Sequence, residues 1–360
     1  MGIGSSTPLK AKPGLVVTLD ALGTLYKFRE PITTQYIKVA QRAGVTASID
    51  EKRLGEAFKK SFKGITEEYP NYGKGKLNSP RAWWKTVVND SFRQVVDEKD
   101  IPDHLGEELY DHFTSSAAYE LYSDVKPFFQ SMRELKNKFP RLDDPPFLVG
   151  VITNSDPRVK NVLQSLGLRC GTSTKPDQPK LDFNKAWQRT VGSGSGSVPD
   201  IGAALKSPWH YTFNPLNDVD FIATSYDAAA EKPQEEIFDH ARFLANLNFT
   251  SRFEQEWKDW RPSFEFMKYQ MGIARRVGYV SESSKYFHVG DDVALDCQPP
   301  EPWESIWLKR EGARMSSAAK RLEAENGDLF KQFIDRTNSA PDLEQVATVI
   351  NIMAEQHLKS

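Results

Sequence analysis

The sequence predicts an α/β fold in which a parallel sheet is interrupted, after its first strand, by an all-helical block. Three observations support this prediction. Short apolar runs rich in β-branched residues alternate with helical patterns, and such alternation is typical of a parallel sheet. In residues 29–119 the apolar residues instead recur at steps of three and four, which indicates amphipathic helices. The chain has 360 residues, of which 39% are hydrophobic, so it can bury a sizeable core.

The first element is a strand, Leu15–Leu19, that ends on Asp20. This run is short and lies between Pro13-Gly14 and Gly23, which favours a buried strand over a helix. The helical block follows, and the turn-forming segment Tyr69–Gly73 interrupts it. Four aromatic residues of the block are expected in its core rather than in a ligand pocket, because their spacing is helical: Tyr69, Tyr72, Trp83 and Trp84.

Helices and strands then alternate. Helices are predicted around Lys126–Lys138, from Asp156-Pro157 and after Lys232-Pro233. The strands predicted beside them are Phe147–Ile152, Val219–Ala223, Tyr286–Val289 and Ser305–Leu308. Because ligands of such sheets bind beyond the carboxyl ends of the strands, the residues that follow each strand are the first candidates for a site.

Composition suggests the domain boundaries. We expect residues 1–12 to form a disordered lead, residues 13–28 and 120–350 to form the α/β core, and residues 29–119 to form the helical block. Two insertions are expected within the core. The first, at about 170–217, contains a Gly/Ser repeat that is typical of a flexible surface segment. The second, at about 246–284, is rich in aromatic residues and is expected to pack; both could bind a protein partner.

Charge and cysteine content narrow the function classes. The chain has 47 Lys+Arg and 49 Asp+Glu, a formal net charge of −2, which argues against a nucleic-acid-binding protein, because phosphate contacts favour a basic patch. Cys170 and Cys297 lack the spacing of a metal site or disulfide framework, so a cytoplasmic location is expected. No apolar run is long enough for a transmembrane helix. Met1–Ser6 fits the N-myristoylation pattern at Gly2, although a Gly/Ser-rich lead is more typical of disorder.

Polar residues follow the predicted strands. They are Asp20, Thr153-Asn154, Lys232, Asp291-Asp292 and Asp296. Taken singly, each has an ordinary explanation, such as helix capping or solvation. Together at one edge of a sheet they would supply a nucleophilic carboxylate, a hydroxyl and an ammonium that hold a transferred group, and further carboxylates for Mg²⁺.

This pattern resembles the haloacid dehalogenase superfamily, whose members begin with a strand ending in D-x-D-G-T-[LV]. Four segments carry the resemblance: Asp20–Leu25 for this first motif, Val151–Ser155 for the Ser/Thr motif, Glu231-Lys232-Pro233 for the Lys motif, and Gly290–Asp296, which matches the acidic motif G-D-[DS]-x-x-x-D in full. In the helical block, Tyr69–Gly73 and Ser79–Trp84 are similar to the branch that contains haloacid dehalogenase-like hydrolase domain-containing protein 3 and the rhythmically-expressed-gene-2 product. The resemblance implies a Rossmann-like core with a helical cap inserted after the first motif.

The resemblance also implies a function. It implies a Mg²⁺-dependent hydrolase, a phosphatase that acts on a small phosphorylated metabolite through an aspartyl intermediate at Asp20. The implied catalytic residues are Asp20, Thr153 and Lys232; the implied metal ligands are Asp20, the backbone carbonyl of Leu22, Asp291, and Asp292 or Asp296; the implied substrate contacts are Gly23, Thr24 and Asn154. Arg81 in the helical block could contact a substrate phosphate or carboxylate, or could pair with a neighbouring acid.

Leu22 departs from the family pattern. In the phosphatases this position is a second Asp, which protonates the leaving oxygen and then activates water. General acid-base catalysis is typically worth about 10²–10⁴-fold in rate, so slow turnover is expected unless another group substitutes. His288 is a candidate by position, but a histidine on a predicted strand is more often a core residue.

Three functions therefore remain open. The first is a slow phosphatase. The second is a catalytically weak or inactive relative that binds a phosphorylated ligand or a protein partner. The third is a metal-independent carbon–halogen hydrolase, since the 2-haloacid dehalogenases carry D-x-Y-G-T where this chain has Asp20–Thr24. Asp291 and Asp292 favour phosphate over halide, because dehalogenation has no use for metal-binding carboxylates.

Overall fold

The computed structural model describes residues 14–139, 147–171, 216–259, 284–310, 319–321, 323–324 and 337–358. Within these ranges the strands are β1 (Leu15–Leu19), β2 (Tyr26–Phe28), β3 (Tyr119–Leu121), β4 (Phe147–Thr153), β5 (Phe221–Thr224), β6 (Lys285–Gly290), β7 (Trp303–Leu308) and β8 (Ser339–Ala340). Six of them form one sheet in the order β5-β4-β1-β6-β7-β8, with every neighbouring pair parallel. The predicted Rossmann-like α/β class is confirmed.

Helices connect the strands. Between β2 and β3, which pair with each other in antiparallel fashion, the chain forms α1 (Ile32–Arg42), α2 (Glu51–Glu68), α3 (Pro70–Gly73), α4 (Pro80–Arg93) and α5 (Leu105–His112). The later helices are α6 (Val125–Lys138), α7 (Arg158–Ser165), α8 (Ser225–Ala228), α9 (Glu235–Asp259) and α10 (Leu343–His357). Among the described residues, each helix is too short or too polar to cross a bilayer.

The sheet is buried on both faces. Successive side chains of a strand point to opposite faces, and β1 shows this directly: Leu15, Val17 and Leu19 join one core cluster and Val16 joins another. The first cluster includes α6 and α10 and continues into the helical block, whereas the second includes α9. The uninterrupted apolar run of β1 thus follows from its central position.

Several details differ from the sequence prediction, among them the short strands β2 and β3 and the helix α8, which were not predicted. The strand predicted at Val219–Ala223 is found at Phe221–Thr224, because Val219 instead bridges to Cys170 outside the sheet. α9 continues through residue 246 to Asp259, so the predicted start of the second insertion does not coincide with a helix end. The short β8 and the helix α10 after it were not predicted as elements. The predicted N-terminal lead with Gly2, most of the first insertion (172–215) and residues 260–283 of the second lie outside the described residues.

The helical block contacts the sheet at the carboxyl end of β4. The Tyr72 hydroxyl donates to the Asn154 carbonyl at 3.2 Å, and the Trp84 indole nitrogen donates to Asp156 Oδ2 at 2.6 Å. Tyr72 lies in α3 and Trp84 in α4, which begins at Pro80 with the Ser79 side chain as its cap. The block therefore lies beside the strand ends that the sequence marks as candidates for a site.

Candidate functional site

Three neighbouring strands bring the candidate residues together. β1 lies between β4 and β6, and its last residue, Leu19, is in register with Val151 of β4 and Val289 of β6. All three strands run in the same direction, so Asp20, Thr153 and Asp291 emerge at one edge of the sheet. The convergence expected from sequence thus follows from the parallel topology.

Lys232 connects two of the carboxylates. Its ammonium nitrogen lies 2.5 Å from Asp20 Oδ1 and 2.5 Å from Asp296 Oδ1, and its side chain is only 2% exposed. A buried ammonium is tolerated where carboxylates and hydrogen bonds compensate its lost hydration. Asn154 fixes the backbone of this lysine, because its side chain accepts from Lys232 N at 2.7 Å and donates to Lys232 O at 3.2 Å.

Asp296 receives donors on both of its oxygens. Besides Lys232, the ring nitrogen Nε2 of His288 lies 3.1 Å from Oδ1, and the amide of Asp292 donates to Oδ2 at 3.0 Å. Burial opposes ionisation of Asp296, but Lys232 and His288 together hold the pKa of this carboxyl below its usual range. Asp296 is therefore an ionised anchor for Lys232.

His288 is a buried core histidine, as its strand position predicted. It is 0% exposed, and its Nδ1 lies 3.0 Å from the Thr18 hydroxyl. Burial lowers the pKa of His288, which favours the neutral ring. In that form a proton on Nε2 can be donated to Asp296, and Nδ1 is an acceptor beside the Thr18 hydroxyl, whose proton the Phe287 carbonyl at 3.1 Å can also accept.

The buried carboxyls of Asp20 and Asp291 are less well stabilised in their ionised form than that of Asp296. Burial raises the pKa of Asp20 to about 7 against the attraction of Lys232, and the nearby Asp296 and Asp291 contribute to the rise. Burial also raises the pKa of Asp291 to about 6, although a hydrogen bond from Thr24 opposes it. Both carboxyls would ionise more readily beside an additional positive charge.

The arrangement fits a divalent cation. Asp20, Asp291 and Asp296 each place one carboxylate oxygen within 4.8 Å of the others. Such a set of hard oxygen donors is what Mg²⁺ prefers. Since Asp296 is already paired with Lys232 and His288, Asp20 and Asp291 are the better placed of the three to hold the ion directly.

The loop after β1 is shaped around Asp291. Thr24 Oγ1 donates to Asp291 Oδ1 at 2.9 Å, and the Trp307 indole donates to the Asp291 carbonyl at 3.1 Å. Gly23 has φ +98°, and a Cβ at this position would lie 2.4 Å from Asp291 Oδ2. Only glycine allows this close approach, so Gly23 and Thr24 act here by positioning a carboxylate.

Other predicted site residues lie differently. The Asp292 carboxylate accepts from the backbone of Ala294 at 2.9 Å and of Leu295 at 3.3 Å, so it caps the following turn and is not part of the carboxylate cluster. The amide of Asn154 is engaged with the backbone of Lys232, as described above. Thr153 is buried at the end of β4, whereas the side chain of Leu22 is exposed in the loop after Asp20.

Arg81 takes the second of its two predicted alternatives. It pairs with Glu107 at 2.6 Å and Asp111 at 2.7 Å, and its guanidinium lies over the Tyr110 ring at 4.2 Å. All of these partners belong to the helical block. The structure therefore places Arg81 on the block rather than in the carboxylate cluster.

Sequence reasoning missed a polar pair beside the site. Asp156 is fully buried and contacts Arg158 Nε at 3.0 Å through both of its oxygens. The Arg158 guanidinium contacts the Trp84 and Tyr110 rings, with its central carbon 4.3 Å and 4.9 Å from their centroids. The only sequence signal was an acid and an arginine flanking a proline just after the Ser/Thr motif, which also fits an ordinary helix start.

Comparison with known proteins gives consistent family matches. A model of the haloacid dehalogenase-like hydrolases matches residues 15–192. Haloacid dehalogenase-like hydrolase domain-containing protein 3 of Danio rerio is 30% identical to the chain, over 52% of this chain and 75% of that protein. The rhythmically expressed gene 2 protein of Drosophila melanogaster is 28% identical, over 54% of this chain and 80% of that protein.

Solved structures are similar to the chain at much lower identity. The HAD-hydrolase YfnB from Bacillus subtilis, solved bound to magnesium, is 10% identical. The match covers 94% of this chain and 100% of that one, with a TM-score of 0.44.

Proposed function

The chain belongs to the haloacid dehalogenase-like hydrolase family, and on this basis we propose that it is a Mg²⁺-dependent phosphatase acting on a small phosphorylated metabolite through Asp20. One observation carries the proposal: buried Lys232 bridges Asp20 and Asp296, and Asp291 lies within reach of the same point. Phosphoryl transfer requires mainly positioning and charge neutralisation. In this proposal the helical block is the cap over the site.

Each residue has a role in the proposed reaction. The Asp20 carboxylate attacks phosphorus, the bond from phosphorus to the alcohol oxygen breaks, and water then cleaves the aspartyl phosphate to release phosphate. Lys232 orients Asp20 and neutralises charge on the phosphoryl oxygens, which Thr153 also contacts. Mg²⁺, held by Asp20 and Asp291, would supply further charge neutralisation.

Leu22 sets the expected limit on the rate. The departing alcohol oxygen must gain a proton, and a leucine side chain cannot donate one. In the proposed reaction the proton comes from solvent. Esters of weakly acidic alcohols should therefore be hydrolysed slowly. The rate should be less reduced for an ester with a good leaving group, such as 4-nitrophenyl phosphate.

A phosphatase panel tests the proposal. Hydrolysis should require Mg²⁺ and should be lost in Asp20→Asn, which keeps the shape of the side chain but removes the nucleophile. Activity that survives chelation of the metal, or that survives in Asp20→Asn, would contradict the proposed reaction.

Leu22→Asp is the sharper variant. Restoring a carboxylic acid at this position should raise kcat for an alkyl phosphate by roughly 10²-fold, and for 4-nitrophenyl phosphate by much less, because a nitrophenolate leaves without a proton. Leu22→Asn is the matched control, since it is polar and similar in size but not an acid. If a folded Leu22→Asp variant that binds Mg²⁺ gains nothing over Leu22→Asn, the remaining groups are not arranged for phosphoryl transfer.

The exposed Leu22 side chain also favours a second candidate, a weakly active or inactive relative that binds a phosphorylated ligand. This candidate predicts little or no turnover by the wild type, combined with saturable binding of inorganic phosphate that Lys232→Met abolishes. Dehalogenation is the weakest of the three hypotheses, because Asp20 would act there as the nucleophile but Asp291 would have no metal ion to bind.

A further inference from the structure

One buried guanidinium connects the loop after Asp20 to the rest of the core. Arg310 lies two residues beyond the end of β7, and its side chain is 9% exposed. Its Nη2 donates to the Thr24 carbonyl at 2.6 Å, and its Nη1 donates to Asp124 Oδ2 at 2.5 Å. Its central carbon lies 4.0 Å from the centroid of the Tyr122 ring. Three separate contacts therefore fix the position of this side chain.

The contact with Asp124 joins two helices of the core. Asp124 immediately precedes α6, and its Oδ2 also accepts at 2.8 Å from the amide of Leu343, the first residue of α10. The ion pair between Arg310 and Asp124 thus has an evident structural role. That role does not account for the bond from Nη2 to Thr24, which belongs to a different segment of the core.

Thr24 connects this second bond to the carboxylate cluster. It is 0% exposed and lies between β1 and β2, outside regular secondary structure, so its carbonyl needs a partner from elsewhere in the fold. Arg310 is such a partner, while the Thr24 hydroxyl donates to Asp291 Oδ1 at 2.9 Å. Because a threonine side chain is stiff about its first torsion, the position of the Thr24 backbone determines where its hydroxyl points.

The end of β7 holds Asp291 by a second route as well. The Trp307 indole donates to the Asp291 carbonyl at 3.1 Å, which fixes the backbone of Asp291, whereas the contacts of Arg310 and Thr24 fix its carboxylate. Asp291 is one of the two carboxylates best placed for the cation. Groups that orient a metal ligand in this way typically contribute about 10–100-fold to metal affinity.

We propose that Arg310 is a positioning residue for Mg²⁺ binding: it holds Thr24 so that the threonine hydroxyl orients Asp291 toward the ion. The inference rests on the proposed function and deepens it, because it concerns the metal ion of that reaction. In this proposal Arg310 touches neither the ion nor the substrate. Its charge is already paired with Asp124, so its effect on the site is geometric.

Titration calorimetry with Mg²⁺ alone tests the proposal without relying on turnover. Arg310→Met removes both hydrogen bonds and should raise the Kd for Mg²⁺ by about 10-fold. Arg310→Lys keeps the positive charge but replaces the planar pair of Nη donors with one nitrogen, so it should raise the Kd by less. An unchanged Kd in a folded Arg310→Met variant would overturn the proposal.

Arg133→Met separates positioning from a general loss of stability. Arg133 of α6 also pairs with a buried aspartate, Asp218, but this pair lies before the start of β5, at the opposite edge of the sheet from the carboxylate cluster. Both Arg→Met variants should lose unfolding free energy, which urea unfolding measures. At a temperature at which both variants are folded, only Arg310→Met should raise the Kd for Mg²⁺. An equal rise in Arg133→Met would show that the Kd reports stability alone, and the proposal would be wrong.

A double-mutant cycle tests the route through Thr24. Thr24→Val removes the hydroxyl with little change in shape and should by itself raise the Kd for Mg²⁺ by about 10-fold. If Arg310 acts through that hydroxyl, adding Arg310→Met should raise the Kd little further, whereas independent effects would multiply to about 100-fold. Multiplied effects would overturn the proposed route. The same cycle with Arg310→Lys takes its place if Arg310→Met does not fold.

Mg²⁺ affinity and turnover together separate this inference from the catalytic proposal. A wild type whose Kd for Mg²⁺ depends on Arg310, but which hydrolyses no phosphate ester, would overturn the phosphatase and support the positioning role. A Mg²⁺-dependent phosphatase whose Kd for Mg²⁺ is the same in Arg310→Met would overturn the positioning role alone.

Discussion

Asp296 determines the geometry of the candidate site at the scale of single residues. It is 1% exposed and ionised, and it accepts from Lys232, His288 and the Asp292 amide. Lys232 could not remain buried and aimed at Asp20 without this second carboxylate. The role of His288 follows from the same contacts: it is a positioning residue that holds Asp296, and through Asp296 it holds Lys232.

Substitution of His288 tests that role. His288→Phe removes the donor to Asp296 and leaves a buried carboxylate oxygen with one partner fewer, so the free energy of unfolding should fall by about 1.5–3 kcal/mol, the range for a hydrogen bond to a charged group. His288→Gln can still donate from a side-chain amide and should recover part of the loss. Urea unfolding with a chelator present measures both. Equal stability of His288→Phe and the wild type would show that Asp296 needs no donor at this position.

At the scale of elements, the segment around α3 fastens the helical block to the core. Lys74 Nζ donates to the Tyr226 carbonyl at 2.6 Å and to the Asp227 carbonyl at 2.9 Å, both in α8. Asn71 and Tyr72 adopt positive φ to form this turn. A lysine two residues later, Lys76, instead donates to the Glu68 carbonyl within the block.

This difference between two neighbouring lysines gives a matched experiment. Lys74→Met removes both hydrogen bonds that the lysine donates to α8. Local opening then no longer requires those bonds to break, so amide exchange in α8 and in residues 70–74 should accelerate. Lys76→Met changes charge and length in the same way but should leave α8 unaffected. Hydrogen–deuterium exchange followed by mass spectrometry measures both. Equal exchange of α8 in the two variants would mean that Lys74 does not hold the block.

The elements also show what the sequence could predict. β1, β4 and β6 were predictable because a central strand of a parallel sheet is a continuous apolar run, and the turn residues around each run mark its ends. The start of β5 was not, because Val219 is as apolar as a strand residue yet pairs with Cys170. Nor was β8, since two residues carry no periodicity.

At the scale of the whole molecule, the sheet topology accounts for the part of the site that the sequence predicted. Once β1, β4 and β6 are parallel neighbours, Asp20, Thr153 and Asp291 must emerge at one edge. The side-chain directions beyond that edge were not predictable, because they depend on tertiary hydrogen bonds. Asp292 could have joined the carboxylate cluster as readily as Asp296, and its capping bonds to Ala294 and Leu295 decide between them.

A buried histidine makes the stability of the whole molecule sensitive to acid. His240 of α9 is 6% exposed. Burial, with a contribution from Lys74 and against the attraction of Asp227, lowers the pKa of His240 to about 4. The unfolded chain has a histidine of ordinary pKa, near 6.5, so between these values the unfolded state binds more protons. Stability is therefore complete above about pH 6.5 and is lost as pH falls toward 4.

The expected loss can be measured by urea unfolding at two pH values with a chelator present. Between pH 7 and pH 5, His240 should cost the wild type about 2 kcal/mol of unfolding free energy, from the linkage of its two pKa values. His240→Gln cannot take up a proton, so over the same pH interval its unfolding free energy should fall by about 2 kcal/mol less than that of the wild type. His104→Gln, at an exposed histidine of the helical block, is the control and should follow the wild type. If His240→Gln and the wild type lose equal stability, His240 is protonated without cost and the folded state must open locally to admit the charge.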